Sequence, residues 1–289
     1  MKKIFIAAMA IACFSGGAAT LRAQDQSEMP PKVLVIDREM VKFGKDMGHE
    51  KNEAAFARAA AAAKSPSHYL ATTTMSGPDE ALFFVGYDSY AQWEEGEKFG
   101  DQPKVESVLG PLMEKDADYI SDGNQMVAMF NQKWSYHPEM SVAEMRYFEF
   151  ETIHRTPGHD KEWDELVALY QTAAAKANID EHDIFYEVRY GAENGTVLIF
   201  TPRKSLADLD AASGTEEAFN NALGPDGLKR WAELVQMTVS RDSTELLQFD
   251  AKMSYPLDSW IKSDPDFWKP KPMMAPKPAA APAAKKESQ

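Results

Sequence analysis

Two pairs of carboxylates, Asp37 with Glu39 and Glu149 with Glu151, stand at alternate positions of strand-like runs. Alternate residues of a strand point to one face, so each pair shares a face. If that face is enclosed, desolvation raises the pKa of a carboxylate and suits it to general-base work. If it lies at a sheet rim, the carboxylates are simply solvated. Glu39 and Glu149 lie 110 residues apart, at what reads as one point of an internal repeat, and are expected to face the same way. A polar ligand site on the shared sheet face would draw on Glu39, Tyr147, Glu149 and Arg189. Arg189, on a neighbouring strand, is the cation that two enclosed carboxylates require.

The six histidines offer less. None forms the i, i+4 helical pair of a zinc peptidase or has a cysteine partner. His154, His159 and Asp160 could meet around a metal across a turn, but His49 and His159 read equally as residues that open helices. A haem iron would need one histidine from an apolar wall; His154 and His182 are formally available and nothing singles out either. No metal and no cofactor is expected. The sequence also lacks a nucleophile elbow, a phosphate-binding Gly-Lys loop and a dinucleotide fingerprint. Tyr87, Tyr147 and Tyr186 sit in strands and could offer hydroxyls to a ligand, whereas Trp163 and Trp231 belong to helical stripes.

The elements that must position these groups occur twice. Gly48-His49 answers Gly158-His159, Ser89-Tyr90-Ala91 answers Ser205-Leu206-Ala207, and Leu109-Gly110-Pro111 answers Leu223-Gly224-Pro225. Phe130, Lys133, Ser135 and Tyr136 answer Phe249, Lys252, Ser254 and Tyr255 with identical spacing. Four collinear matches indicate duplication. In the second copy, Met145 to His154 reads as a strand, and Trp163, Leu166, Val167, Tyr170, Ala173, Ala174 and Ala177 as an amphipathic helix. Ile184 to Tyr190 and Thr196 to Thr201 follow as strands across an Asn194-Gly195 turn. Ser205 offers an N-cap, Gly214 to Pro225 interrupts, and Leu228 to Val235 resumes helical spacing. Leu246 to Met253 closes the unit. The first copy repeats the order, its last strand at Met126 to Trp134.

The order is βαββαβ, so the expected fold is α+β: two tandem ferredoxin-like units, residues 33–138 and 139–261, forming one pseudo-twofold α/β barrel. Each unit leaves one sheet face uncovered. Fusion supplies in cis the partner that buries it, so the chain is expected to be a monomer through this internal pseudo-dimer.

The ends read differently. Lys2-Lys3, the apolar run Ile4 to Phe14 and the small residues Ala18 to Ala23 form an export signal over residues 1–23, too short for a membrane span. The protein is therefore expected in the periplasm or secreted. Cys13, the one cysteine, falls inside it, which leaves the mature chain no thiol or disulfide. Residues 262–289, rich in Pro, Ala and Lys, read as a solvated, disordered tail. A net charge of −14 argues against nucleic acid as a partner.

The run Phe148 to Trp163, FEFETIHRTPGHDKEW, resembles the start of members of the dimeric α/β-barrel superfamily, which includes NIPSNAP-like, EthD-like and antibiotic-biosynthesis-monooxygenase-like proteins. The first half matches less well, with Met47-Gly48-His49 in place of Pro-Gly-His, and Ser89 to Trp93 resembles the superfamily's second helix. The resemblance implies a barrel that binds or oxidises small molecules and carries over no catalytic residue. Three roles stay open: an exported small-molecule-binding or stress-related envelope protein without assigned catalysis, a cofactor-independent monooxygenase-like enzyme acting on a small organic substrate, and a structural interaction protein.

Overall fold

A computed structural model describes residues 29–269; the expected leader and most of the expected tail lie outside them. The first unit runs β1 (Val33–Val41), α1 (Asp46–Ala63), β2 (Tyr69–Thr74), β3 (Glu80–Tyr87), α2 (Tyr90–Gly100), α3 (Pro103–Asp116) and β4 (Ile120–Phe130). The second runs β5 (Tyr147–Arg155), α4 (Asp160–Ala177), β6 (Ile184–Tyr190), β7 (Thr196–Arg203), α5 (Ala207–Ser213), α6 (Glu216–Thr238) and β8 (Val239–Phe249). Two short helices, α7 (Asp258–Ser263) and α8 (Pro265–Trp268), follow. The eight strands close into an antiparallel barrel in the order β1-β3-β2-β8-β5-β7-β6-β4.

Strand alternation builds the core. Leu34 and Ile36 of β1 point into the barrel with Leu82, Phe84, Phe148, Phe150, Leu198, Phe200 and Phe249. The second half supplies Phe148 and Phe150 where the first supplies Leu34 and Ile36, so bulky side chains fill the centre against smaller ones. The interior is a packed core, with a cavity of about 330 Å³ at the end where Phe84, Phe148 and Trp260 meet.

The best-matched repeat motif is the clasp between the halves. Ser135 Oγ accepts from Phe185 N at 3.0 Å, and Ser254 Oγ accepts from Ala71 N at 2.9 Å. Tyr136 bridges Asp183, and Tyr255 bridges Tyr69. Lys133 reaches Asp164 on α4, and Lys252 reaches Glu50 on α1. Each unit thus ends by hydrogen-bonding the other, which is why this spacing is the same in both copies.

Several boundaries differ from the sequence reading. β4 and β8 begin six and seven residues early, because their first residues, including Ser121 to Gln125 and Ser240 to Thr244, are solvent-facing and carry no hydrophobic signal. The β6–β7 turn places Gly191 and Gly195, not Asn194, at positive φ. Ser205 does not cap a helix; it donates to Asp208, whereas Ser89 does cap α2. α6 spans the expected interruption, with a break in helical geometry at Gly224. Residues 262–269, expected in the tail, are ordered: α8 seats Trp268 in the barrel core, fully buried, its indole donating to the Ala143 carbonyl at 2.8 Å.

Candidate functional site

The acidic pairs do not line the barrel. In β1 and β5 the even-numbered residues fill the interior, so Asp37, Glu39, Glu149 and Glu151 point outward beneath the helices. The equivalence of Glu39 with Glu149 also fails. Val33 pairs with Tyr87 and Tyr147 with Arg203, and α1 and α4 each run 18 residues from Asp46 and Asp160, so the first strands and helices correspond at an offset of 114. Gly44, not Gly48, answers Gly158; both adopt positive φ at the strand-to-helix turn. Gly48 is small for another reason, since a Cβ there would lie 2.5 Å from the Tyr119 ring. In this register Glu151 answers Asp37, Glu39 answers Ile153, and Glu149 answers Val35.

Beneath α4 and α6 the second half encloses a cavity of about 710 Å³. Its apolar wall is Trp163, Leu166, Phe185, Phe219, Trp231 and Val235; its polar wall is Glu149, Glu151, Glu181, Asp183 and Arg203. Arg203 donates to Glu149 at 2.7 Å and pairs with Glu181. Asp183 accepts from Thr201 at 2.6 Å and from the Tyr170 hydroxyl. Burial holds the Asp183 carboxyl and the Tyr170 phenol above their ordinary pKa values.

Glu151 makes no hydrogen bond or ion pair among the described residues. Desolvation, reinforced by the negative charges of Asp242, Asp183 and Glu149, pushes its pKa up to about 7. A carboxylate poised there exchanges protons readily at neutral pH. Trp163 lines the same cavity with its ring, while its indole N–H is buried away from solvent and has no acceptor among the described residues. Base and aromatic wall therefore face one space, the arrangement that can take a proton from a flat organic molecule.

The first half is polar where the second is apolar. His49 Nε2 lies 2.8 Å from Glu39 and 3.8 Å from Asp116. Asn52 donates to Asp116 at 3.3 Å and to the Leu112 carbonyl at 2.9 Å. His49, Asn52, Glu53 and Asp116 are buried. Desolvation, then the charges of Glu39 and Asp116, pushes Glu53 up to about 8. Burial alone would lower the His49 pKa, but its hydrogen bond to Glu39 and the surrounding carboxylates raise it.

Of the residues singled out in the sequence, Glu149 lines the cavity and Glu39 joins the first-half cluster, so the structure does not bring them together. Tyr147 opens β5 outside both cavities. Arg189 is half exposed and pairs with Glu187 at 3.0 Å; Arg203, at the end of β7 beside β5, is the partner of Glu149. Arg203 was accessible only through the strand register. Tyr186 lies inside the barrel with its hydroxyl on the Pro31 carbonyl, and Tyr87 bonds Ser67. His154 contacts Thr196 and Arg241, His159 lies 3.6 Å from Glu162, and Asp160 pairs with Arg155, so they form no metal centre. His182 bonds the His137 carbonyl. No histidine, cysteine or methionine lines the 710 Å³ cavity, and its one tyrosine hydroxyl is held by Asp183, so the lining does not fit a haem iron.

Solved structures share this architecture. An anthrone oxidase-like protein aligns at a TM-score of 0.50 with 14% identity, over 76% of this chain and 92% of its own. A candidate monooxygenase from Fusobacterium nucleatum aligns at 0.49 with 10% identity, over 76% and 93%. A heme-binding protein from Thermus thermophilus aligns at 0.42 with 10% identity, over 78% and 94%. The shared fold is a closed barrel built from two tandem ferredoxin-like units. No family model and no curated protein matches the chain.

Proposed function

We propose that the second-half cavity binds a small aromatic molecule and oxidises it without a cofactor, with Glu151 as the general base. The unpaired, desolvated carboxylate of Glu151 facing an aromatic cavity carries this reading. The fold shared with an anthrone oxidase-like protein is compatible with it. Glu151 removes a proton from a methylene activated by a neighbouring carbonyl or phenol, whose oxygen takes up the negative charge, while Phe219 and Trp231 hold the rings. The electron-rich anion is then oxidised by dioxygen. One oxygen atom becomes the product carbonyl and the other leaves as water with the two methylene hydrogens, so the balance needs no protein-bound reductant.

Arg203, tied to Glu149 and Glu181, offsets part of the negative charge of the cavity floor and leaves Glu151 without a cationic partner among the described residues. The test is oxygen consumption with a tricyclic ketone of the anthrone class. Wild type turns it over and Glu151→Gln binds it without turnover; equal rates in the two proteins would reject the assignment.

A further inference from the structure

We propose that Glu39, His49, Glu53 and Asp116 bind one divalent transition-metal ion of the zinc class, which fastens α1 and α3 to β1. One imidazole nitrogen and three carboxylate oxygens from these residues lie within 4.8 Å of one another. Tetrahedral zinc with bonds of roughly 2.0–2.2 Å holds its donors about 3.3 Å apart. The 2.8 and 3.8 Å separations of His49 from Glu39 and Asp116 bracket that spacing, so only small side-chain movements are required.

The donor chemistry narrows the ion. Calcium and magnesium favour all-oxygen shells, whereas an imidazole with carboxylates suits zinc and its neighbours. Four protein donors leave no open position, which marks a structural rather than a catalytic centre. Glu39 is the most exposed of the four side chains and provides the way in.

Charge and polarity point the same way. Among the described residues no Lys or Arg pairs with Glu39, Glu53 or Asp116, so one histidine faces three carboxylates and a dication supplies the missing charge. Asn52, 3% exposed, sets its carboxamide among these groups, and its Oδ1 has no donor among the described residues. The Tyr69 hydroxyl, buried and within the field of Glu53 and Glu39, has no partner among them either. Nor does the architecture demand polar groups here. At the repeat positions of Glu39, His49 and Glu53 the second half places Ile153, Trp163 and Val167, all apolar.

The test uses the untagged full chain, stripped with a chelator, dialysed against zinc, and measured by elemental analysis and titration calorimetry. The expected result is about one zinc per chain, a loss of affinity of at least about 100-fold in His49→Gln and in Glu53→Gln, and no change in Glu217→Gln. Losses of this order are usual when a metal site is deprived of a donor or of the group that orients one. Excess magnesium should not compete. A natively folded wild type that retains no zinc overturns the proposal whatever the variants do. Zinc bound equally by both cluster variants, or displaced by equimolar magnesium, overturns it as well.

Discussion

Beneath α1 the first half stacks Glu39, His49, Asn52 and Glu53; beneath α4, at the same repeat positions, the second half stacks Ile153, Trp163, Leu166 and Val167. Toward the other end of the same sheet face the pattern inverts. Val35, Phe56, Tyr69, Val85 and Tyr87 stand where the second half has Glu149, Tyr170, Asp183, Thr201 and Arg203. One backbone supports both solutions. What the fold fixes is the barrel core and the crossing clasps, while the space between sheet and helices is free to specialise. In the second half that space is an aromatic cavity with a free base; in the first it is a closed ionic knot.

The sharpest way to break the comparison is at Glu151 and its counterpart Asp37, both outward-facing and both raised in pKa, chiefly by desolvation. Asp37 differs in accepting a hydrogen bond from Gln125 at 2.8 Å. Glu151→Gln should lower turnover by roughly 10²–10⁴-fold, the range for losing a general base, while substrate affinity changes only a few-fold. Asp37→Asn should leave turnover unchanged. Steady-state oxygen uptake by the two variants checks both halves of the claim.

A transplant tests the first half. His49→Leu alone, in metal-free buffer, leaves Glu39, Glu53 and Asp116 without a cation and should cost about 3 kcal/mol. Replacing the whole cluster by apolar residues, with the second-half side chains in Glu39→Ile, His49→Trp, Asn52→Leu and Glu53→Val and with Asp116→Val beside them, should be neutral or stabilising by about 1–2 kcal/mol, because no buried charge is stranded. Urea unfolding of both proteins decides it. A five-fold variant less stable than His49→Leu would mean the two interiors are not interchangeable.

The smallest effect is the pH dependence of stability set by Glu151. Its folded pKa of about 7 lies above its ordinary 4.5, so the folded state holds this proton more tightly than the unfolded chain. The resulting stabilisation is complete below pH 4.5 and is lost as pH rises through about 7. Discounted for partial exposure, the fall is about 2 kcal/mol, and Glu151→Gln should abolish that part of the slope. Turnover runs oppositely, rising as the carboxyl ionises.

The duplication and the barrel were legible because periodicity and paired motifs survive where packing demands them. Phe130, Ser135 and Tyr136 keep their spacing because each unit closes on the other through them. The register was not legible. Gly48-His49 and Gly158-His159 look alike, yet one glycine makes room for Tyr119 and the other allows a left-handed turn, and the false match displaced the first strands by four residues. That slip joined Glu39 to Glu149 and hid the pairing of Glu151 with Asp37. The strand alternation did place Glu149 and Glu151 on one face. Arg203 escaped because an ion pair between neighbouring strands depends on register, and His49 because a histidine near a helix start carries no mark of what lies beneath it. Trp268 was lost in a proline-rich context, although its indole, with Phe267 and the Arg146–Asp264 ion pair, docks this short helix on the barrel.

The most direct test is a crystal structure of the protein soaked with a tricyclic ketone of the anthrone class, collected without oxygen. The expected result is density for the probe in the second-half cavity, against Phe219 and Trp231, with its methylene beside Glu151. Density instead at the barrel mouth by Phe84 and Trp260, or under α1 in the first half, would contradict it.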